Sequence, residues 1–296
     1  MTFPGATSGK KLEMVSLAAP PGLRFWDGVS DQFVGSGLVV TAYPAGGTGL
    51  RKQQAIVNAA AVYILPSLPS LRRFENEVVD ERGSEGAGVS RRELQVEFYD
   101  DEGRFLPGLL RMPERHAGLA GLWCGSPLTH LSFGSPLSGL EKAIPLFSAP
   151  GRPVPAGMAV IRAQLWDVAN ERAAAWALVE AMPPGQDPVM GVADDQGQLT
   201  LIFPYPAPQP SLFGSSPLGS PLSSPLGAES WPIPLRAYYS ALAGPDVCAI
   251  LQQRPAHLWS SLSPAVALST ATLFYGKEAS LSSEGATRPS TLMITG

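Results

Sequence analysis

Charge is the first thing this chain lacks. Only 16% of its 296 residues are Asp, Glu, Lys or Arg, against roughly a quarter in an ordinary soluble domain. The formal net charge is −4, which argues against a nucleic-acid-binding role, because that role needs a concentrated basic face. The nearest basic cluster, Arg72-Arg73 with Arg91-Arg92, lies beside Glu75, Glu77 and Glu93 and reads as a solvated, ion-paired surface. Long apolar runs are absent too: none approaches the ~18 residues of a membrane-spanning helix. The short stretch Leu12–Pro20 behind Lys10-Lys11 contains Glu13, so it is not expected to act as a signal peptide. Cysteine is down to two, Cys124 and Cys248, far apart. They are expected to be buried reduced thiols of a cytoplasmic protein. Histidine numbers three, which leaves little material for catalysis or metal binding.

Apolar residues make up 45% of the chain, enough for real cores. A surface so poor in charge is either covered by other protein or belongs to an unusually loop-rich monomer. With 30 prolines and 31 glycines, long helices are excluded almost everywhere.

Strand signals are plentiful. Leu38–Tyr43 is a β-branched run closed by Pro44 and Gly46-Gly47. Leu94, Val96 and Phe98 alternate with Gln95 and Glu97 as in a half-exposed strand. Residues 51–65 are ambiguous, with a helix start that finishes as a strand before Pro66 as one reading of Ala55–Leu65. From Met158, Ile161, Ala163 and Leu165 alternate with Arg162, Gln164 and Trp166; after a polar turn at 167–172, Ala175–Met182 is a return strand or a short helix. Two turns share one chemistry: Asp100-Asp101-Glu102-Gly103 and Asp194-Asp195-Gln196-Gly197. Gly supplies a positive φ and Asp bonds its own backbone, so each predicts a β-turn, the second closing a hairpin of Val189–Ala193 with Leu199–Phe203. Ile233–Tyr239, Val266–Tyr275 and Thr291–Thr295 complete the pattern, with Gly276–Pro289 as a loop.

Ser-Pro-Leu recurs at 126–128, 135–137, 216–218, 220–222 and 224–226. Proline extends the residue before it, so these stretches are irregular or polyproline-like. They are either linkers or loops that order by docking their leucines, Leu128, Leu137, Leu218, Leu222 and Leu226, on a neighbour.

Familiar constellations of chemistry are missing. His116, Cys124 and His130 lack the tight ligand pairs of a zinc site. There is no Gly-x-Ser-x-Gly elbow, and a Cys124 nucleophile with His116 or His130 as base lacks an orienting third group. The acidic turns do not continue as calcium loops, and Gly46–Lys52 departs from phosphate-loop spacing. Trp26, Trp166, Trp176 and Trp231 are read as core or interface anchors; the competing reading is a sugar or cell-wall platform with Trp26, Trp166 and Trp231 along one groove. No catalytic residue, metal or cofactor is expected.

The segment Arg152–Pro155, Ala159–Trp166 and Gly191–Gly197 resembles the carboxypeptidase regulatory-like, prealbumin-like β-sandwich. The resemblance implies an accessory fold without peptidase activity. More widely, the succession Leu38–Pro44, Ala61–Pro69, Phe98–Pro107, Leu146–Pro150 with Arg152–Pro155, and Phe203–Pro206 is similar to proteins of bacterial contractile injection systems, which are phage-tail-like particles. That similarity implies a structural adaptor near the cap or terminator of the tube, with the baseplate as the alternative. Implied partners are cap, sheath or tube proteins in a ring-like multi-copy assembly.

The expected architecture is all-β. Two prealbumin- or immunoglobulin-like sandwich units carry long Pro/Gly/Ser-rich loops: a tail at 1–22, a first unit at 23–112, a connection at 113–150 and a second unit at 151–296 with an inserted loop at 207–229. Trp26 and Trp231, with the five leucines, are the candidate partner-binding residues.

Overall fold

A computed structural model describes residues 20–45, 52–66, 93–113, 119–120, 124, 143–207, 229–241, 244–286 and 290–296. The chain is mostly β, with one short helix, Val247–Leu251, among the described residues. Strand alternation builds the first core. In Leu38–Pro44 and Glu93–Asp100, the residues Leu38, Val40, Ala42, Leu94, Val96 and Phe98 point inward. The two strands pair antiparallel with Val40 opposite Phe98 and Ala42 opposite Val96. Gln53–Gln54 and Gly108–Pro113 flank them in a four-stranded sheet. Phe98 lies across Gly108, where a Cβ would meet its ring at 2.0 Å. A glycine backbone thus forms the floor under an aromatic ring.

Two smaller sheets close this core. One runs Leu119–Ala120, Gly22–Leu23, Tyr63–Ile64, Ile56–Val57; the other runs Ile144–Leu146, Phe25–Asp27, Gln32–Phe33. Phe25 packs edge-on to Tyr63 at 5.3 Å and tilted against Phe98 at 4.9 Å, the offset geometries that ring quadrupoles favour.

The rest of the described chain forms an eleven-stranded sheet that curls into a half-barrel. Its long strand, Met158–Asp167, pairs antiparallel with Gln198–Pro204 and parallel with both Ala279–Leu281 and Thr291–Thr295. Ile161, Leu165, Leu199, Leu201, Phe203 and Trp231 fill the second core inside the curl.

The cores meet on one shared wall. In the strand Leu178–Ala181 all four residues are buried, because Leu178 faces the first core and Val179 the second. Ser230–Tyr238 does the same at its end, with Tyr238 in the first core and Ala237 in the second. The helix closes the first core with Val247, Ile250 and Leu251, and Asp246 caps it by accepting the Ala249 amide at 3.0 Å.

Several expectations change. Residues 53–64 contain no helix start: short strands flank a turn in which Asn58 Oδ1 accepts the Ala60 and Val62 amides at 2.9 and 3.0 Å. The local side-chain bond competes with helix formation and wins. The second Asp-Asp turn forms, but its arms part: Val189–Val192 pairs with Leu178–Ala181, whereas Gln198–Pro204 pairs with Met158–Gln164. It is therefore a corner between sheet walls and does not close a two-stranded hairpin. The loop expected at 276–289 contains the strand Ala279–Leu281. Val266–Tyr275 divides into Ala265–Ala267 and Thr270–Phe274, on different partners. Gly22 already belongs to a strand.

Candidate partner-binding surface

Trp26 is half-buried on the strand Phe25–Asp27, and it lines a cleft of about 100 Å³ between the first sheets and the curled sheet. Pro145 and Phe147 stand on one side, with Pro188, Met190 and Ile202 on the other. That volume suits a single side chain, since small-molecule pockets usually run to roughly 300–1,000 Å³.

An ion pair holds the Trp26 side in place. Asp27 accepts from Arg152 Nη1 at 2.9 Å and Nη2 at 2.6 Å, from the Val29 amide at 3.0 Å and from Ser30 Oγ at 2.7 Å. Arg152 also donates to Ser148 Oγ at 3.1 Å and stacks over Phe105 at 4.8 Å. Val29 and Ser148 thereby reach the cleft in fixed positions. Burial alone pushes the Asp27 carboxyl up, but the bonds from Arg152, Ser30 and Val29 outweigh it and hold its pKa below the ordinary value.

Trp231 is a core residue, contrary to its reading as a partner anchor. It is 2% exposed, and its Nε1 donates to the Ala207 carbonyl at 3.2 Å. Alternation along Ser230–Tyr238 turns Trp231, Ile233 and Leu235 inward and sends Pro232 out. Trp166 is half-buried elsewhere, so Trp26 alone of the three lines the cleft and no common tryptophan groove forms. Leu128, Leu137, Leu218, Leu222 and Leu226 lie outside the described residues, as do His116 and His130.

The two cysteines are not separate thiols. Cys124 and Cys248 form a disulfide across 124 residues of sequence, and Gln252 Nε2 donates to the Cys124 carbonyl at 2.6 Å. With its sulfur bonded, Cys124 offers no thiolate nucleophile. Nothing in the spacing announced this pairing, which arises only because the fold brings residue 124 to the helix.

Among the described residues, no group of three or more His, Cys, Asp or Glu is placed to hold a metal ion. In the second acidic turn Asp194 Oδ1 accepts the amides of Gln196 and Gln198 at 2.9 and 2.8 Å. In the first, Asp100 binds the Arg104 amide and guanidinium at 2.6 and 2.9 Å. These carboxylates serve their own turns. A larger opening of about 420 Å³ lies where Pro255–Leu262 diverges from Ser230–Tyr238. Its floor is Leu235, Ala237 and Leu258, with Arg236 and His257 among its lining.

One buried carboxyl stands apart. Glu180, on the shared wall, is 0% exposed, and Arg236 Nη1 is 3.7 Å from its Oε2, beyond ordinary hydrogen-bonding distance. Burial pushes its pKa up, against the pull of Arg236 and Tyr238. Apolar side chains are also left outside: Ile56, Val57, Tyr99, Val266, Phe274 and Tyr275 are exposed on or beside strands. Ile56 and Val57 occupy the last strand of their sheet.

No protein family and no curated protein matches the chain. A solved structure, the Bacillus anthracis TIE protein, is similar over 93% of this chain and 34% of that one, at 10% identity and a TM-score of 0.25. The chain thus spans about a third of that protein's length, and a likeness this slight carries no argument.

Proposed function

We propose that this chain is a non-enzymatic structural subunit, an adaptor of a contractile, phage-tail-like particle, placed near the cap or terminator of the tube. The specific setting rests on the sequence resemblance to injection-system proteins. The observation that supports a docking role is the surface: among the described residues, seven large apolar side chains, Phe33 included, are exposed on or beside strands of a chain of which only 16% is charged. Isolated exposed apolar residues are ordinary; what supports docking is their number on a chain so poor in charge. Affinity would come from apolar anchors and strand addition at sheet edges. On this reading the two cores belong to two sandwich-like units built as interaction modules, and the particle assembles in the cytoplasm.

The test is co-sedimentation of the purified chain with sheath, tube and cap proteins of such a particle from the same cell. Association, weakened at least tenfold by Trp26→Ala at the cleft or by Ile56→Asp at the sheet edge, is the expected result. A chain that stays monomeric and unassociated with all three contradicts the proposal.

A further inference from the structure

Cys124 and Cys248, joined by the bond, are each half-buried residues and neither belongs to the buried core. The Val247–Leu251 helix does not need it: Val247, Ile250 and Leu251 anchor the helix in the first core, and Asp246 caps it. Residue 124 is held differently. It is fastened by the disulfide and by the Gln252 amide on its carbonyl, and both tie it to the helix and its C-terminal cap.

We infer that the Cys124–Cys248 bond is a reversible redox staple, closing when the chain meets oxidising surroundings and opening to thiols, while both cores stay folded. Disulfides that thiols can approach exchange in the folded state, whereas deeply buried ones wait for unfolding, and half-burial of both cysteines favours the first behaviour. Closure takes two electrons and two protons from the cysteine thiols. A small-molecule disulfide accepts them and is cleaved to two thiols, through a mixed disulfide on one cysteine that the other thiolate displaces. A dithiol runs the exchange backwards. The inference stands apart from the adaptor reading, because it concerns only the chain and its surroundings.

The experiment uses the full chain purified without reductant. Expected are no titratable thiols under native conditions and a linked peptide containing Cys124 and Cys248. Dithiothreitol should then release both thiols without changing the far-ultraviolet spectrum at 25 °C. The melting temperature should fall by roughly 10 °C, as expected for losing a cross-link over a long loop. Oxidised glutathione should restore it. The double variant Cys124→Ser/Cys248→Ser should melt like the reduced chain and ignore reductant. Free thiols in the air-oxidised chain, a bond that resists dithiothreitol until the protein unfolds, or loss of the β spectrum on reduction would each overturn the inference.

Discussion

At the scale of single residues, two buried carboxyls pull in opposite directions. Asp27 has its pKa lowered by Arg152, Ser30 and Val29. Its contribution is therefore present above the ordinary aspartate value of 3.8 and lost as the pH falls through the lowered one. Asp27→Asn strands the Arg152 guanidinium and should cost about 3–5 kcal/mol at neutral pH, the usual loss when one partner of a buried pair is removed. The gap to wild type should narrow in acid, as measured by chemical denaturation at pH 7 and pH 3. Glu180 behaves in reverse. Its pKa is raised by burial, so the native state is favoured below the ordinary glutamate value of 4.5 and loses stability as the pH rises through the raised one. Glu180→Gln should raise the melting temperature at pH 8 and leave it nearly unchanged at pH 4. A variant less stable than wild type at pH 8 would show that the Arg236 contact outweighs burial. Neither role was legible beforehand. Asp27 and Arg152 are 125 residues apart, and Glu180 sat in a stretch whose helix or strand character was itself open.

At the scale of elements, the sequence announced its turns well. Both Asp-Asp-x-Gly motifs form, with Gly103 at φ +67° and Gly197 at +77°. Their surroundings differ: a Cβ at Gly103 meets nothing within 4 Å, whereas one at Gly197 comes within 2.4 Å of the Leu165 carbonyl. Gly103→Ala should therefore cost about 1–2 kcal/mol, the left-handed backbone penalty alone. Gly197→Ala should cost at least about 2 kcal/mol more, since a backbone carbonyl must move. Equal losses in denaturant titrations would refute the corner described around Gly197. Periodicity also found the strands at 38–44, 93–100, 158–167 and 291–295. It did not find which strand pairs with which. Period-two alternation fixes the buried face of a strand, while the partner is chosen by contacts distant in sequence, as when Gln198–Pro204 takes Met158–Gln164.

At the scale of the whole molecule, the β character was legible and the shared wall was not. Leu178–Ala181 has neither clean alternation nor a long apolar run, because it serves two cores at once. Trp231 misled for a related reason. An aromatic between prolines and serines looks like a surface anchor until the curl of the sheet puts it inside. Trp26, read the same way, does reach a cleft. The proposed docking role rests in part on a property any reading of composition sees, the scarcity of charge. If apolar contacts carry assembly, its affinity should change little with salt, since screening acts on charges. The most direct test is therefore sedimentation velocity of the chain with sheath, tube and cap proteins at about 0.15 M and about 0.5 M salt, between which the screening length shortens roughly twofold. A complex is expected at both, with affinities within about threefold; a chain that sediments alone at both would rule out the proposed docking role.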